Sequence, residues 1–229
     1  MFDLGILAYY AEEYGATSHI ALQASCWGNE GTTKSRVPSQ AEMRMQVYAA
    51  MAFGIDSISW FTYADKSDGC LKTPYTDAET YANFTAVNQE LLRIDEVYKA
   101  FKWKGTIIGS KSGTDDYDAY KTVKGEIGAY ELTASQTKNL KSITGNSYNY
   151  LMGVMQDMHG NEGYVLCNYN SVYNKNRAQN ITINFNTNVT EVIIYRNGVA
   201  EDPIAVTNKT ITVALATGEG VMILPSKIG

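Results

Sequence analysis

The sequence predicts an α/β segment on parallel strands, residues 1–103, followed by an all-β antiparallel sandwich, residues 104–229. Three observations carry this expectation. Helical and extended patterns alternate as helix, strand, helix, strand, helix over residues 2–102. Start and stop signals punctuate the helices. After Trp103 helical spacing ceases, and short alternating runs separated by turn dipeptides take over.

Taken in order, FDLGILAYYAEEYGA reads as an apolar helix and HIALQASCW as a buried strand. In SQAEMRMQVYAAMAF, Ser39 and Glu42 have the spacing of a capping box, where each side chain bonds the other's free backbone N–H. Met43, Val47, Ala50 and Met51 then form one apolar stripe, and Gly54 ends the helix because it lacks a Cβ. Ile55 to Tyr63 is the next strand, with Trp60, Phe61, Thr62 and Tyr63 at its far end. Thr76 and Glu79 suggest a second capping box. A long helix follows, with Tyr81, Phe84, Val87, Leu91, Ile94, Tyr98 and Phe101 spaced at threes and fours. Strands alternating with such helices imply βαβ crossovers and a parallel sheet, whose ligand sites lie at the strands' carboxyl ends.

The second half offers eight extended runs: GTIIGS, GEIGAYEL, YNYLMGVMQD, EGYVLCNYN, QNITINFN, VTEVIIYRNG, KTITVALA and GVMILP. Asn197-Gly198 and Gly160-Asn161 are dipeptides that close hairpins. Ile181, Ile183 and Phe185 alternate with Thr and Asn, as in a sheet with one buried face. This unit is expected to fold by itself. Its loop Asn170–Asn180 offers Tyr169 and Tyr173 either as sugar contacts or as tyrosines lying on a solvated surface.

Composition narrows the function. The net charge of −5 comes with 9 basic and 13 acidic residues before Gly105 and 10 and 11 after it, so neither half has the basic face that nucleic acid requires. No apolar run approaches the ~20 residues that cross a bilayer, and the amino terminus lacks the basic region of a secretory signal. Cys26, Cys70 and Cys167 have no metal-ligand spacing and read as free, buried thiols, with a pair between Cys26 and Cys70, which both follow strand ends, as the open alternative. His19 and His159 are too isolated for a metal site. Neither a cofactor nor a metal is expected.

Two parallel strands do not make a complete sheet. The strand IALQAS, expected to be apolar on both faces, calls for neighbours, supplied by a missing amino-terminal portion or by self-association.

The stretch IALQASCWG…SRVPSQAEMRMQVYAAMAFGIDSISWFTYADKSD resembles the last two β/α units of the (β/α)8 barrels of family-42 type β-galactosidases and related glycosidases. The features concerned are the strand ending in an amide, the loop with Arg36 and Pro38, and the helix with Glu42 and Arg44. The segment Ala52-Phe53-Gly54 and the aromatic strand end Trp60 to Tyr63 complete them. The resemblance implies the carboxyl-terminal part of a TIM barrel followed by a β-sandwich, acting on carbohydrate. It also implies a catalytic nucleophile at the end of HIALQAS, where this sequence has Gln23, which cannot form a glycosyl ester. Glu30, Glu42 and Asp65 are the nearby carboxylates, best explained by a cap and by solvated loops. The expected sugar-binding residues are Gln23, Trp27, Trp60, Phe61 and Tyr63. Strand alternation allows only Trp60 with Thr62, or Phe61 with Tyr63, to face the site, and the resemblance favours the second pair. Each aromatic side chain has packing against a neighbouring loop or helix as its alternative.

Overall fold

The computed structural model describes residues 2–26, 36–64, 72–109, 130–146, 149–170 and 176–228. The first part runs α1 (Phe2–Tyr14), β1 (His19–Gln23), α2 (Gln40–Ala52), β2 (Ser57–Phe61) and α3 (Ala78–Lys99). The strands β1 and β2 pair in parallel, His19 opposite Ser57 and Gln23 opposite Phe61. Ser39 and Glu42 form the anticipated capping box. Beyond Phe53, Gly54 takes φ +70°, and Ile55 N donates to Ala50 O at 3.1 Å, closing α2. The second cap differs from expectation. Asp77 is the N-cap of α3, accepting from Thr80 N at 2.9 Å and Thr80 Oγ1 at 2.7 Å, while Thr76 bonds back to Thr73. A carboxylate one residue later is the stronger acceptor for orphan N–H groups.

The strands that follow are β3 (Phe101–Gly109), β4 (Leu140–Gly145), β5 (Tyr150–Asp157), β6 (Glu162–Cys167), β7 (Gln179–Phe185) and β8 (Val189–Arg196). Next come β9 (Val199–Ala200), β10 (Ile204–Ala205), β11 (Thr210–Leu215) and β12 (Gly220–Ile228). A seven-stranded sheet runs β10-β8-β12-β6-β5-β3 with β9 beside β8, and a three-stranded sheet runs β11-β7-β4. All pairings between these strands are antiparallel. Both hairpin dipeptides fall where expected, Gly160-Asn161 between β5 and β6 and Asn197-Gly198 between β8 and β9. The sequence pattern misses β4, a short run with four polar or glycine positions in LKSITG. Most of the run GEIGAYEL lies outside the described residues; its Glu131 bridges Thr106 in parallel.

The two layers enclose one core, with Met152, Val154, Tyr164 and Leu166 of the large sheet meeting Ile181, Ile183 and Phe185 of the small one. The alternate residues Leu151, Met155, Val165, Cys167 and Met222 point the other way and are buried in a second core with Met43, Val47, Ala50 and Met51 of α2. The central strands β5, β6 and β12 are thus buried on both faces, and α2 covers the outer one. The unit 104–229 therefore shares a core with the helices, and β3 crosses position 103–104.

Close approach across this seam depends on missing side chains. A Cβ on Gly153 would lie 2.4 Å from Ala52 O and 2.7 Å from Ala52 Cα, and one on Gly220 would lie 2.1 Å from the Tyr48 ring. Ala52 O also accepts from Thr106 Oγ1 at 2.7 Å and Trp103 Nε1 at 3.1 Å. Within the first part, Arg44 on α2 holds Glu90 on α3 through three contacts of 2.5, 2.9 and 3.2 Å. Glu90 is buried, so the pair compensates a charge that would otherwise be costly.

The faces of β1 differ in cover: Leu22 is buried and Ile20 half-buried towards the helices, whereas His19 and Ala21 are exposed and Gln23 is half-buried. One expectation is corrected. Cys26 is disulfide-bonded rather than a free thiol, with a partner outside the described residues, while Cys167 is free and buried.

Candidate functional site

The in-register pairing of β1 and β2 sorts their side chains onto two faces. Ile20, Leu22, Ile58 and Trp60 belong to the face packed on the helices. His19, Ala21, Gln23, Ser57, Ser59 and Phe61 occupy the other face. His19 spans that face, its Nδ1 3.0 Å from Ser57 Oγ and its Nε2 3.0 Å from Ser59 Oγ.

Trp60 turns away from the site. Its Nε1 donates to Asn88 Oδ1 on α3 at 2.9 Å, and its ring meets Phe84 edge-on at 5.7 Å. Packing, the alternative considered for each aromatic, is what Trp60 does. Trp27 lies outside the described residues, as do Glu30, Asp65 and Tyr173. Tyr169 is half-buried against the core shared by helices and sheet.

The structure does bring Gln23, Phe61 and Tyr63 to the carboxyl ends of the strands. Gln23 sits beside Phe61, which is 37% exposed, and Tyr63 just beyond is 45% exposed. A third ring, absent from the sequence-based set, joins them. Tyr75, 69% exposed, stands with its ring 6.3 Å from that of Tyr63 at 58°, and its N–H donates to Tyr63 O at 3.0 Å. The signal pointing to it is its place in TPYTD, two residues before the helix cap Asp77. Tyr63 also lies 5.9 Å from Phe84 on α3, which supports it from behind.

The loops leading into α2 and α3 enclose a cleft of about 440 Å³ that includes Arg36, Lys72, Asp77 and Glu79. Its charges are largely engaged. Arg36 grips both oxygens of Glu42, with Nη1 to Oε2 at 2.6 Å. Ser39 N and Oγ each donate to Glu42 Oε2 at 2.9 Å. Burial alone would raise the Glu42 carboxyl, but Arg36 and Ser39 outweigh it and hold the group below the ordinary glutamate value. Asp77 is likewise lowered, through the Thr80 hydroxyl and N–H. Neither carboxylate is placed as an acid/base group. A second cleft of about 450 Å³ opens at the amino ends of the strands, near Asp56, Lys99 and Trp103. There Asp56 Oδ2 is committed to Ser18 N at 2.7 Å and Ser18 Oγ at 2.8 Å. In parallel sheets that end serves stability rather than ligands.

Among the described residues no group of three or more His, Cys, Asp or Glu side chains is arranged to hold a metal ion, and no helix is long and apolar enough to cross a membrane.

The arrangement is a β/α layer joined to an antiparallel sandwich, with exposed aromatic rings at the strands' carboxyl ends. No family model and no curated protein matches the chain. Among solved structures it is similar to a GH30 endoxylanase from Clostridium papyrosolvens C71, with a TM-score of 0.44 and 13% identity over 97% of this chain and 46% of that one. It is similar too to a GH27 β-L-arabinopyranosidase from Geobacillus stearothermophilus, with a TM-score of 0.45 and 12% identity over 99% of this chain and 41% of that one. The chain spans less than half the length of either. Both are glycoside hydrolases, and neither is a family-42 β-galactosidase. At this level of likeness the side chains, not the resemblance, decide what the site can do.

Proposed function

We propose that the carboxyl ends of β1 and β2 form one wall of a carbohydrate-binding site in a glycoside-hydrolase-like protein. The observation that carries this reading is the cluster of exposed rings, Phe61, Tyr63 and Tyr75, beside the half-buried amide of Gln23. Pyranose rings present an apolar C–H face and a polar rim, so aromatic faces edged by hydrogen-bonding groups suit them. The β1–β2 pair has both outer edges unpaired within the described residues, and parallel sheets are ordinarily covered on both faces. Further β/α units, from a longer polypeptide or a second copy, complete the sheet; the fuller reading is the last two units of a TIM barrel, with the sandwich as its buttress.

Alone, the described residues bind sugar without hydrolysing it. Retaining hydrolysis needs two carboxyl groups about 5–5.5 Å apart, and Glu42 and Asp77 are committed to caps. Titration calorimetry with a panel of neutral oligosaccharides tests the reading, with saturable binding expected. Failure of every sugar to bind overturns it, and turnover of an aryl galactoside or glucoside overturns the non-hydrolytic assignment. A second reading, a protein whose site binds glycan and never cleaves it, is favoured by the amide at Gln23, where a nucleophile would be a carboxylate.

A further inference from the structure

Gln23 ends β1 with its side chain turned back onto its own loop. Nε2 donates to Ser25 O at 2.7 Å and to Arg36 O at 3.1 Å, which ties the two described ends of the β1–α2 connection to one nitrogen. The Gln23 backbone is itself clamped by Gln46 of α2, whose Oε1 accepts from Gln23 N at 2.8 Å and whose Nε2 donates to Gln23 O at 3.2 Å. The strand end is closed further by Ala24 N donating to Phe61 O at 2.8 Å and Thr62 N donating to Ser25 Oγ at 3.2 Å.

Two carbonyl oxygens can be satisfied only by donors, so the NH₂ must face them and Oε1 must face away. A carboxylate in this place would set acceptor against acceptor. Oε1 has no donor among the described residues. It belongs to the same sheet face as the half-open ring of Phe61, directly opposite in register.

We infer that Gln23 is a positioning residue whose nitrogen latches the β1–α2 connection and whose Oε1 is an acceptor fixed for a hydroxyl of an uncharged sugar seated on Phe61. The latch stands on the hydrogen bonds alone; the acceptor role rests on the carbohydrate reading above. The site thereby selects a neutral donor at this point, because a sugar carboxylate would meet a carbonyl oxygen that cannot donate.

Side-chain amide NMR on the full chain tests both parts, with Gln23→Met identifying the signal. The latch predicts that the Gln23 NH₂ exchanges at least tenfold more slowly than that of exposed Gln136; equal rates overturn it. Titration with methyl β-D-glucopyranoside is expected to shift the Gln23 amide together with the Tyr63 ring. Methyl β-D-glucuronopyranoside should require at least tenfold higher concentration. Movement of Tyr63 without Gln23 overturns the acceptor role and leaves the carbohydrate reading standing. Equal response to both glycosides overturns the selection for uncharged sugars. If neither residue moves, the carbohydrate reading falls and the acceptor role with it, while the exchange rates still judge the latch.

Discussion

Replacing Gly153 with Ala would measure how tightly the sandwich is joined to the helices. The new methyl carbon would sit 2.4 Å from Ala52 O, about 1 Å short of the 3.4 Å at which ordinary contact begins. The obstacle is backbone at the end of α2, which cannot rotate aside as a side chain would. Forcing extra volume into such a contact costs about 1–3 kcal/mol. Parting the elements also stretches the Thr106 and Trp103 hydrogen bonds to Ala52 O, each worth about 1 kcal/mol. A loss of about 3 kcal/mol is expected, which for a chain of this size lowers Tm by roughly 6–12 °C. Urea denaturation and calorimetry of the full chain read this directly. Gly15→Ala is the control: its φ of +60° costs a side chain about 1 kcal/mol, but nothing lies within 4 Å of the added carbon. If Gly153→Ala melts within about 0.5 kcal/mol of the parent, the seam is not close-packed and the argument for a shared core is wrong.

Other expectations follow from the same geometry. Arg44→Ala strands the buried Glu90 carboxylate and should cost about 3–5 kcal/mol in urea unfolding. Because Glu42 is held below its ordinary value of 4.5, its contribution is fully present above that pH and is lost as pH falls through the folded-state value. Glu42→Gln should therefore flatten the acid limb of a Tm-against-pH curve, and an unchanged limb would refute the pairing. Tyr63→Ala and Tyr75→Ala should each weaken oligosaccharide binding by about three- to tenfold in calorimetry, whereas Trp60→Phe, which loses the bond to Asn88 and part of the packing on Phe84 on the helix side, should leave affinity unchanged. Residues 104–229 expressed alone should self-associate in size-exclusion chromatography, since Leu151, Met155, Val165 and Met222 lose their cover at about 1.5–3 kcal/mol each; a monodisperse monomer would count against the shared core.

The order of helices and strands was legible because capping boxes and apolar stripes are local signals. Ser39 and Glu42 announce α2 from four letters, and the switch to a period of two announces the sandwich. Partnership was not legible. Leu151 and Met152 are adjacent and equally apolar, yet they serve opposite cores, and nothing local says that α2 covers the first. The same limit governed the site. Alternation left Trp60 and Phe61 undecided until the register placed Trp60 opposite Leu22 and Phe61 opposite Gln23. Tyr75 went unseen because it reaches Tyr63 through a backbone hydrogen bond across a loop, an encounter with no sequence period.

The double burial of the large sheet's central strands bears on how such a chain can be inherited. Because α2 serves as a wall for the sheet as well as for β1, the sandwich is not detachable cargo. Crossovers that part α2 from β5, β6 and β12 would be purged from a recombination library. Survivors would carry helices and sandwich as one block, with its boundary set by the close approach of Ala52 and Gly153 rather than by the change of pattern at Trp103.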